Sequence, residues 1–231
     1  MKFVFQPLID LTKWSLLGFE ALARFEDSAS PAEHFDAARG EGRLTDLELQ
    51  AIEGIIAATS SLPDGTLVTL NASGPTIEAF SNSPLALDPR LKWGLELNEQ
   101  SEPCVCDGAR RLATSLDCLL LIDDAGVAHA TRERILRLCP DIVKLDRTMI
   151  SEYGESEQVR LMVDSLLEAA TSIGAKTLAE GVESPQQLEL VRTLGFDYAQ
   201  GYYFSPGQQV NQLRSTLSAL HRRIGIDIPS F

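Results

Sequence analysis

The sequence predicts an α/β fold: a TIM-like (β/α)8 barrel with an antiparallel first strand. Three observations lead there. Eight short apolar runs of strand type alternate with helical patterns along 231 residues, as a ring of strands inside a ring of helices requires. The first two runs, residues 2–9 and 15–24, lie too close together to hold a crossover helix, so they pair as an antiparallel hairpin. From the second run onward, each strand carries a polar residue of functional type at or near its C-terminal end. An open doubly wound sheet is the alternative, but no Gly-rich phosphate loop follows an early strand.

In the hairpin the turn falls near Thr12 and Lys13, and the two-residue period puts Glu20, Leu22 and Arg24 on one face. A structural ion pair between Glu20 and Arg24 is one reading of that face. Helical patterns follow at 31–39 and 44–60, then a turn at Pro63-Asp64-Gly65. Residues 66–70 make the third strand, ending on Asn71. After a helix at 75–80, residues 91–97 make the fourth, with Glu96 near its end and Asn98 and Glu99 beyond. A helix at 102–115 leads to residues 117–124, an apolar run too short for a usual helix and closed by a turn at Gly126. That run ends on Asp123 and Asp124, and one of two adjacent carboxylates must point to the buried side. Residues 132–138 are helical, and 141–145 form a strand bearing Lys144. A helix at 156–173 stops at Gly174. Residues 175–179 form a strand ending on Glu180, 185–194 a helix, 197–199 a strand ending on Gln200-Gly201, and 210–223 the last helix.

The length suits one large domain or two small ones and is sufficient to bury most of the apolar surface. A formal net charge of -13 argues against affinity for duplex nucleic acid or an anionic membrane. An anionic small substrate stays open if a metal offsets the local charge. No apolar run approaches membrane-spanning length, and the start, Met1 to Pro7, breaks too early for a signal peptide. Cys104, Cys106, Cys118 and Cys139 lack the spacing of a zinc site and read as reduced thiols in a cytoplasmic protein.

In a barrel the C-terminal strand ends converge on one face, where such folds place their chemistry. Glu20, Asn71, Glu96, Asp123 with Asp124, Lys144, Glu180 and Gln200 would meet there. Five carboxylates cannot all stay ionised at close quarters with only Lys144 and Arg24 as protein cations, unless a cation is bound. Oxygen donors without His or Cys favour magnesium, manganese or calcium over zinc or copper. The number of acids suggests two ions sharing a bridging carboxylate, an arrangement suited to phosphoester hydrolysis. A buried Lys beside them would hold or deprotonate the attacking water.

These residues resemble the EAL domain family of bacterial cyclic di-GMP phosphodiesterases. The naming motif stands as Glu20-Ala21-Leu22, completed by Arg24, with Gln6-Pro7 before it. Asn71-Ala72-Ser73, Glu96-Leu97-Asn98-Glu99, Asp123-Asp124 and Lys144-Leu145-Asp146 are similar to the family's successive motifs. Ala179-Glu180-Gly181-Val182-Glu183 and Gln200-Gly201-Tyr202 complete the set in order, so residues 1–231 read as one EAL-type barrel domain. The resemblance implies hydrolysis of cyclic di-GMP to linear pGpG with magnesium or manganese, and a homodimer. By it, Glu20, Asn71, Glu96 and Asp123 are ligands of a first ion. Asp123 bridges to a second, beside Asp124 and Glu180. Lys144 positions water, and Gln200 touches a ligand or water. Arg24 and Gln6 touch substrate, and Glu99 and Glu183 support the active-site loop.

The chain departs from the family at residues 125–132. Val127 replaces a Thr, Ala128 a Gly, Ala125 a Phe and His129 a Tyr, and Asn98 replaces a nearby Thr. In the family this loop links dimerisation and substrate binding to metal occupancy, and a misplaced loop costs orders of magnitude in rate. The family's helix before the first strand and any sensor domain are not seen in the sequence. Three readings follow: a slow phosphodiesterase, a cyclic di-GMP receptor that does not cleave, and an interaction domain that binds neither metal nor nucleotide. Outside the family, an enolase-like barrel also uses acids, magnesium and a Lys. It has no need of Arg24, Gln200 or the Asp doublet.

Overall fold

The computed structural model describes residues 1–82, 85–97, 103–125 and 132–228, with the backbone alone at 81, 82, 103–107 and 124. Asn98, Glu99 and the loop residues Gly126, Val127, Ala128, His129, Ala130 and Thr131 lie outside the described residues, as do the side chains of Asp124, Cys104 and Cys106.

β1 (Lys2–Asp10) and β2 (Ser15–Arg24) pair antiparallel, with Gln6 opposite Glu20 and Lys2 opposite Arg24. Asp10 builds the turn between them, its Oδ1 accepting the backbone N–H groups of Thr12 at 2.9 Å and Lys13 at 2.8 Å. Six strands follow: β3 (Leu67–Ala72), β4 (Lys92–Leu97), β5 (Leu119–Ala125), β6 (Ile142–Leu145), β7 (Lys176–Ala179) and β8 (Tyr198–Ala199). From β2 to β8 each is parallel to the last, and β8 closes the ring by pairing antiparallel with β1. β1 therefore runs against both neighbours, as its short link to β2 predicts.

The outer layer is α1 (Pro31–Gly40), α2 (Leu44–Ala58), α3 (Gly74–Asn82), α4 (Pro103–Ser115), α5 (Arg132–Leu138), α6 (Arg147–Glu152), α7 (Glu157–Ser172), α8 (Pro185–Thr193) and α9 (Val210–Ile224). Their starts are set locally. Ser30 and Glu33 form a reciprocal capping box on α1, and Ser156 and Ser184 cap α7 and α8 through their side chains. α6 is not predicted by the sequence. It is six residues long, too short to show an apolar period, and hangs on Asp146, whose side chain accepts the Thr148 N–H.

Most of the core lies between barrel and helices, in one cluster running from Phe5 and Phe19 to Leu213 and Ile226. A second, smaller cluster of Leu8, Leu67, Leu121, Ile142 and Leu178 fills the barrel itself. Filling the interior below the strand ends leaves the C-terminal mouth as the place where polar side chains can gather.

Candidate active site

Strand register brings the polar residues together. Gln6 pairs with Glu20, and Asn71 with Glu96, so each pair projects to one side of the sheet. The convergence point is Lys144 Nζ, on β6. Its distances to carboxylate oxygens are 2.5 Å for Glu96, 2.7 Å for Asp123, 2.8 Å for Glu180 and 3.6 Å for Glu20. The Lys144 side chain is only 1% exposed. Glu20 is gripped further: Asn71 Nδ2 donates to its Oε1 at 3.2 Å, and Gln200 Nε2 to its Oε2 at 2.6 Å.

Other expected residues stand further out. Arg24 donates to the carbonyl of Ala23 at 2.8 Å, and no ion pair joins it to Glu20. Among the described residues Lys144 alone carries positive charge into the acid cluster. Gln6 is half-buried opposite Glu20. Glu183 is 47% exposed and faces Arg147 at 3.8 Å, away from the cluster's centre. A cavity of about 380 Å³ opens beside the mouth, lined in part by Glu20, Arg24, Phe35, Arg39, Asn71 and Asp123.

Two backbone devices hold the late strand ends in place. Val182 N–H donates to Gln200 O at 3.0 Å and Tyr203 N–H to Val182 O at 2.8 Å, tying the segment after Glu180 to the one after Gln200. Gly201, at φ 151°, makes the approach possible, since a Cβ there would fall 2.2 Å from Val182 O.

One ammonium does not neutralise the four acids around it equally. Burial opposes ionisation of Glu20, but attraction to Lys144 and hydrogen bonds from Gln200 and Asn71 outweigh it, and its pKa falls. Glu96 goes the other way. Burial first, then repulsion from Glu20, raise its pKa to about 8 against the pull of Lys144. Burial also raises Glu180 well above the ordinary value, with Asp123 and Glu20 adding to it. Lys144 is pushed up despite burial because Asp123, Glu180, Glu20 and Glu96 surround it. Without a further cation, Glu96 and Glu180 hold their protons more tightly than free carboxyl groups do.

The donor set suits a hard divalent cation, being carboxylate and amide oxygen with no His or Cys. Glu96 Oε1 is buried and has no hydrogen-bond partner, an acceptor that such a cation or its water would satisfy. Among the described residues no three His, Cys, Asp or Glu side chains surround an open cation position. Lys144 Nζ holds the point on which they converge.

Sequence reasoning missed Glu48. It is 8% exposed on α2, and its Oε2 accepts from Ser73 N at 2.9 Å, Ser73 Oγ at 2.7 Å and Thr76 Oγ1 at 2.5 Å. It thereby pins the segment after Asn71 to α2. The signal was present, because Glu48 falls on the buried stripe with Ala51, Ile52 and Ile55.

Fold and site together define an acid-ringed α/β barrel with its polar groups at the C-terminal mouth. The chain belongs to the EAL domain family, whose model matches residues 1–207. Cyclic di-GMP phosphodiesterase PdeL of Escherichia coli K12 is 27% identical over 219 residues, covering 87% of this chain and 60% of that protein. An uncharacterized protein of Azorhizobium caulinodans is 27% identical over 243 residues, covering 93% of this chain and 32% of its own length. The chain thus spans about a third to three-fifths of these two curated relatives. Among solved structures, Klebsiella pneumoniae BlrP1 in complex with calcium and cyclic di-GMP has a TM-score of 0.74 at 24% identity, over 89% of this chain and 55% of that one. An EAL domain protein of Listeria monocytogenes EGD-e has a TM-score of 0.73 at 22% identity, over 94% and 92%. These two likenesses establish the barrel fold. No helix among the described residues is long and apolar enough to cross a membrane.

Proposed function

We propose that this chain is a divalent-cation-dependent phosphodiesterase that hydrolyses cyclic di-GMP to linear pGpG. The observation that carries the reading is the convergence of Glu20, Glu96, Asp123 and Glu180 on one point, 2.5 to 3.6 Å from Lys144 Nζ. The name of PdeL and the ligand of BlrP1 support the substrate. Magnesium or manganese, as two ions, would neutralise phosphate charge and acidify water. Glu20, Asn71, Glu96 and Asp123 would hold one ion, and Asp123, Asp124 and Glu180 the other. Gln200 fixes Glu20 through its amide. Arg24 and Gln6, at the rim and on β1, orient the substrate phosphate and sugar. Lys144, once its acids are otherwise engaged, hydrogen-bonds the attacking water. The water oxygen bonds to phosphorus as the bond to the ribose 3′ oxygen breaks, leaving a 5′-phosphate and a free 3′-hydroxyl. By the same resemblance, Glu99 and Glu183 would support the active-site loop. A homodimer in the cytoplasm completes the reading.

One observation favours a second reading, a receptor that holds cyclic di-GMP without cleaving it. Lys144 already serves as the cluster's own counter-ion and competes with any metal for the same oxygens. Purified chain with magnesium or manganese is expected to convert cyclic di-GMP to pGpG, and Glu20→Ala to abolish conversion. No product under either metal defeats the proposal. Binding by calorimetry without product after long incubation selects the receptor.

A further inference from the structure

After α9 the chain folds back on itself. Gly225, at φ 70°, ends the helix in the left-handed region, its N–H donating to His221 O at 2.8 Å. The next residues run beside the β1–β2 hairpin. Asp227 N–H donates to Trp14 O and Leu16 N–H to Asp227 O, both at 2.9 Å. Ile226 is buried, and its carbonyl accepts the Nδ1–H of His221 at 2.7 Å, so the returning segment is tied to the helix as well. Between helix and segment lies a cavity of about 420 Å³, within the size range of small-molecule sites.

The helical wall of this cavity is basic. Arg214, Ser218, His221 and Arg222 stand at i, i+4, i+7 and i+8, on one stripe of α9. α9 contains no Asp or Glu, in a chain whose net charge is -13. The helix dipole accounts for cations in the last turn, but not for Arg214 near the other end. Arg223 is engaged by the carbonyls of Tyr203 and Phe204. The exposed side chains of Arg214 and Arg222 have no hydrogen bond or ion pair among the described residues. Ser218, between them, is satisfied by its own helix, its hydroxyl donating to Arg214 O at 2.8 Å. Asp227, across the cavity, is the one acid among its described lining residues.

We propose that this cavity binds a small phosphate-bearing anion, held by Arg214 and Arg222. Guanidinium forks match phosphate oxygens in both geometry and charge. Walls on two sides, one helical and one fixed by the hairpin, suit a compact ligand. The site is remote from the acid ring. The returning segment pairs at Ser15, and Arg24 at the mouth lies nine residues further along β2, about 30 Å at ordinary strand rise. The proposal therefore stands apart from the reading of the mouth as a phosphodiesterase site.

The test titrates inorganic pyrophosphate into the full chain by calorimetry, in EDTA and at constant ionic strength, with sodium chloride as the blank. EDTA keeps divalent cations from drawing the anion to the acid ring. The parent is expected to bind pyrophosphate saturably. Arg214→Gln and Arg222→Gln are each expected to weaken that binding about tenfold or more, the loss of a charge-assisted hydrogen bond. Both should keep the parent melting temperature without ligand, since neither side chain has a partner in the fold. Arg24→Gln, at the mouth, is expected to bind pyrophosphate as the parent does. A parent that shows no saturable binding at millimolar pyrophosphate overturns the proposal, and so does parent-like affinity in both α9 variants. An equal loss in Arg24→Gln overturns it too, because the anion would then be drawn to arginines at large. A weaker-binding α9 variant that also melts below the parent overturns it as well, because the arginine would then serve the fold.

Discussion

Replacing Lys144 with Met removes the charge at the centre of the ring while keeping the unbranched apolar stem of the side chain. The ammonium lies within 2.8 Å of three carboxylates and 3.6 Å of a fourth, at 1% exposure. Breaking a buried ion pair from one side costs about 3–5 kcal/mol, because the partner charge is left uncompensated. For a chain of this size each kcal/mol shifts the melting temperature by about 2–4 °C, so Lys144→Met in EDTA should melt roughly 6–20 °C below the parent. Protonation of the acids offers an escape, so the deficit should be smaller at pH 5 than at pH 8. Manganese should stabilise the variant more than the parent, since it no longer competes with an internal cation. Differential scanning fluorimetry across pH, with EDTA or manganese, reads all three. A variant that melts at the parent temperature in EDTA at pH 8 would refute the account of Lys144 as the cluster's counter-ion.

Three further outcomes follow from the geometry. Glu96 has a folded pKa of about 8 against an ordinary 4.5, so the native state holds the proton more tightly than the unfolded chain. That stabilisation is fully present below about pH 4.5 and lost as pH rises through about 8. The metal-free protein should therefore lose stability across this window, and Glu96→Gln should flatten the slope; superimposable profiles would contradict the assignment. Gly201→Ala forces a Cβ against the Val182 backbone and should cost about 1–3 kcal/mol or more, visible in urea unfolding, with an unchanged midpoint counting against it. Glu48→Ala leaves three donors from Ser73 and Thr76 without their acceptor and should cost about 2–4 kcal/mol, while Glu48→Gln should cost less. Equal denaturation midpoints for the two variants would show that the acceptor is not what matters.

The barrel was legible because its physics is local. The short gap after β1 dictates an antiparallel pair, and burial on both faces gives the later strands their apolar runs. The acid ring was legible for a related reason: a charged residue at the end of an apolar strand stands out against its neighbours. What escaped was long-range. Nothing in the order of Glu20, Glu96, Asp123 and Glu180 says that one ammonium sits among all four, since that depends on strand tilt and side-chain direction. Arg24 looked equally fit for the task by sequence, yet its guanidinium folds back on Ala23.

Reversal of a single strand also decides which rim the polypeptide enters by. Lys2 sits opposite Arg24, so the first residues approach from the reactive side, whereas a uniformly parallel barrel would admit them from below. Anything attached ahead of Lys2 would pull directly on the edge where Arg24 meets Phe25. Chain entry and the acid ring share one rim.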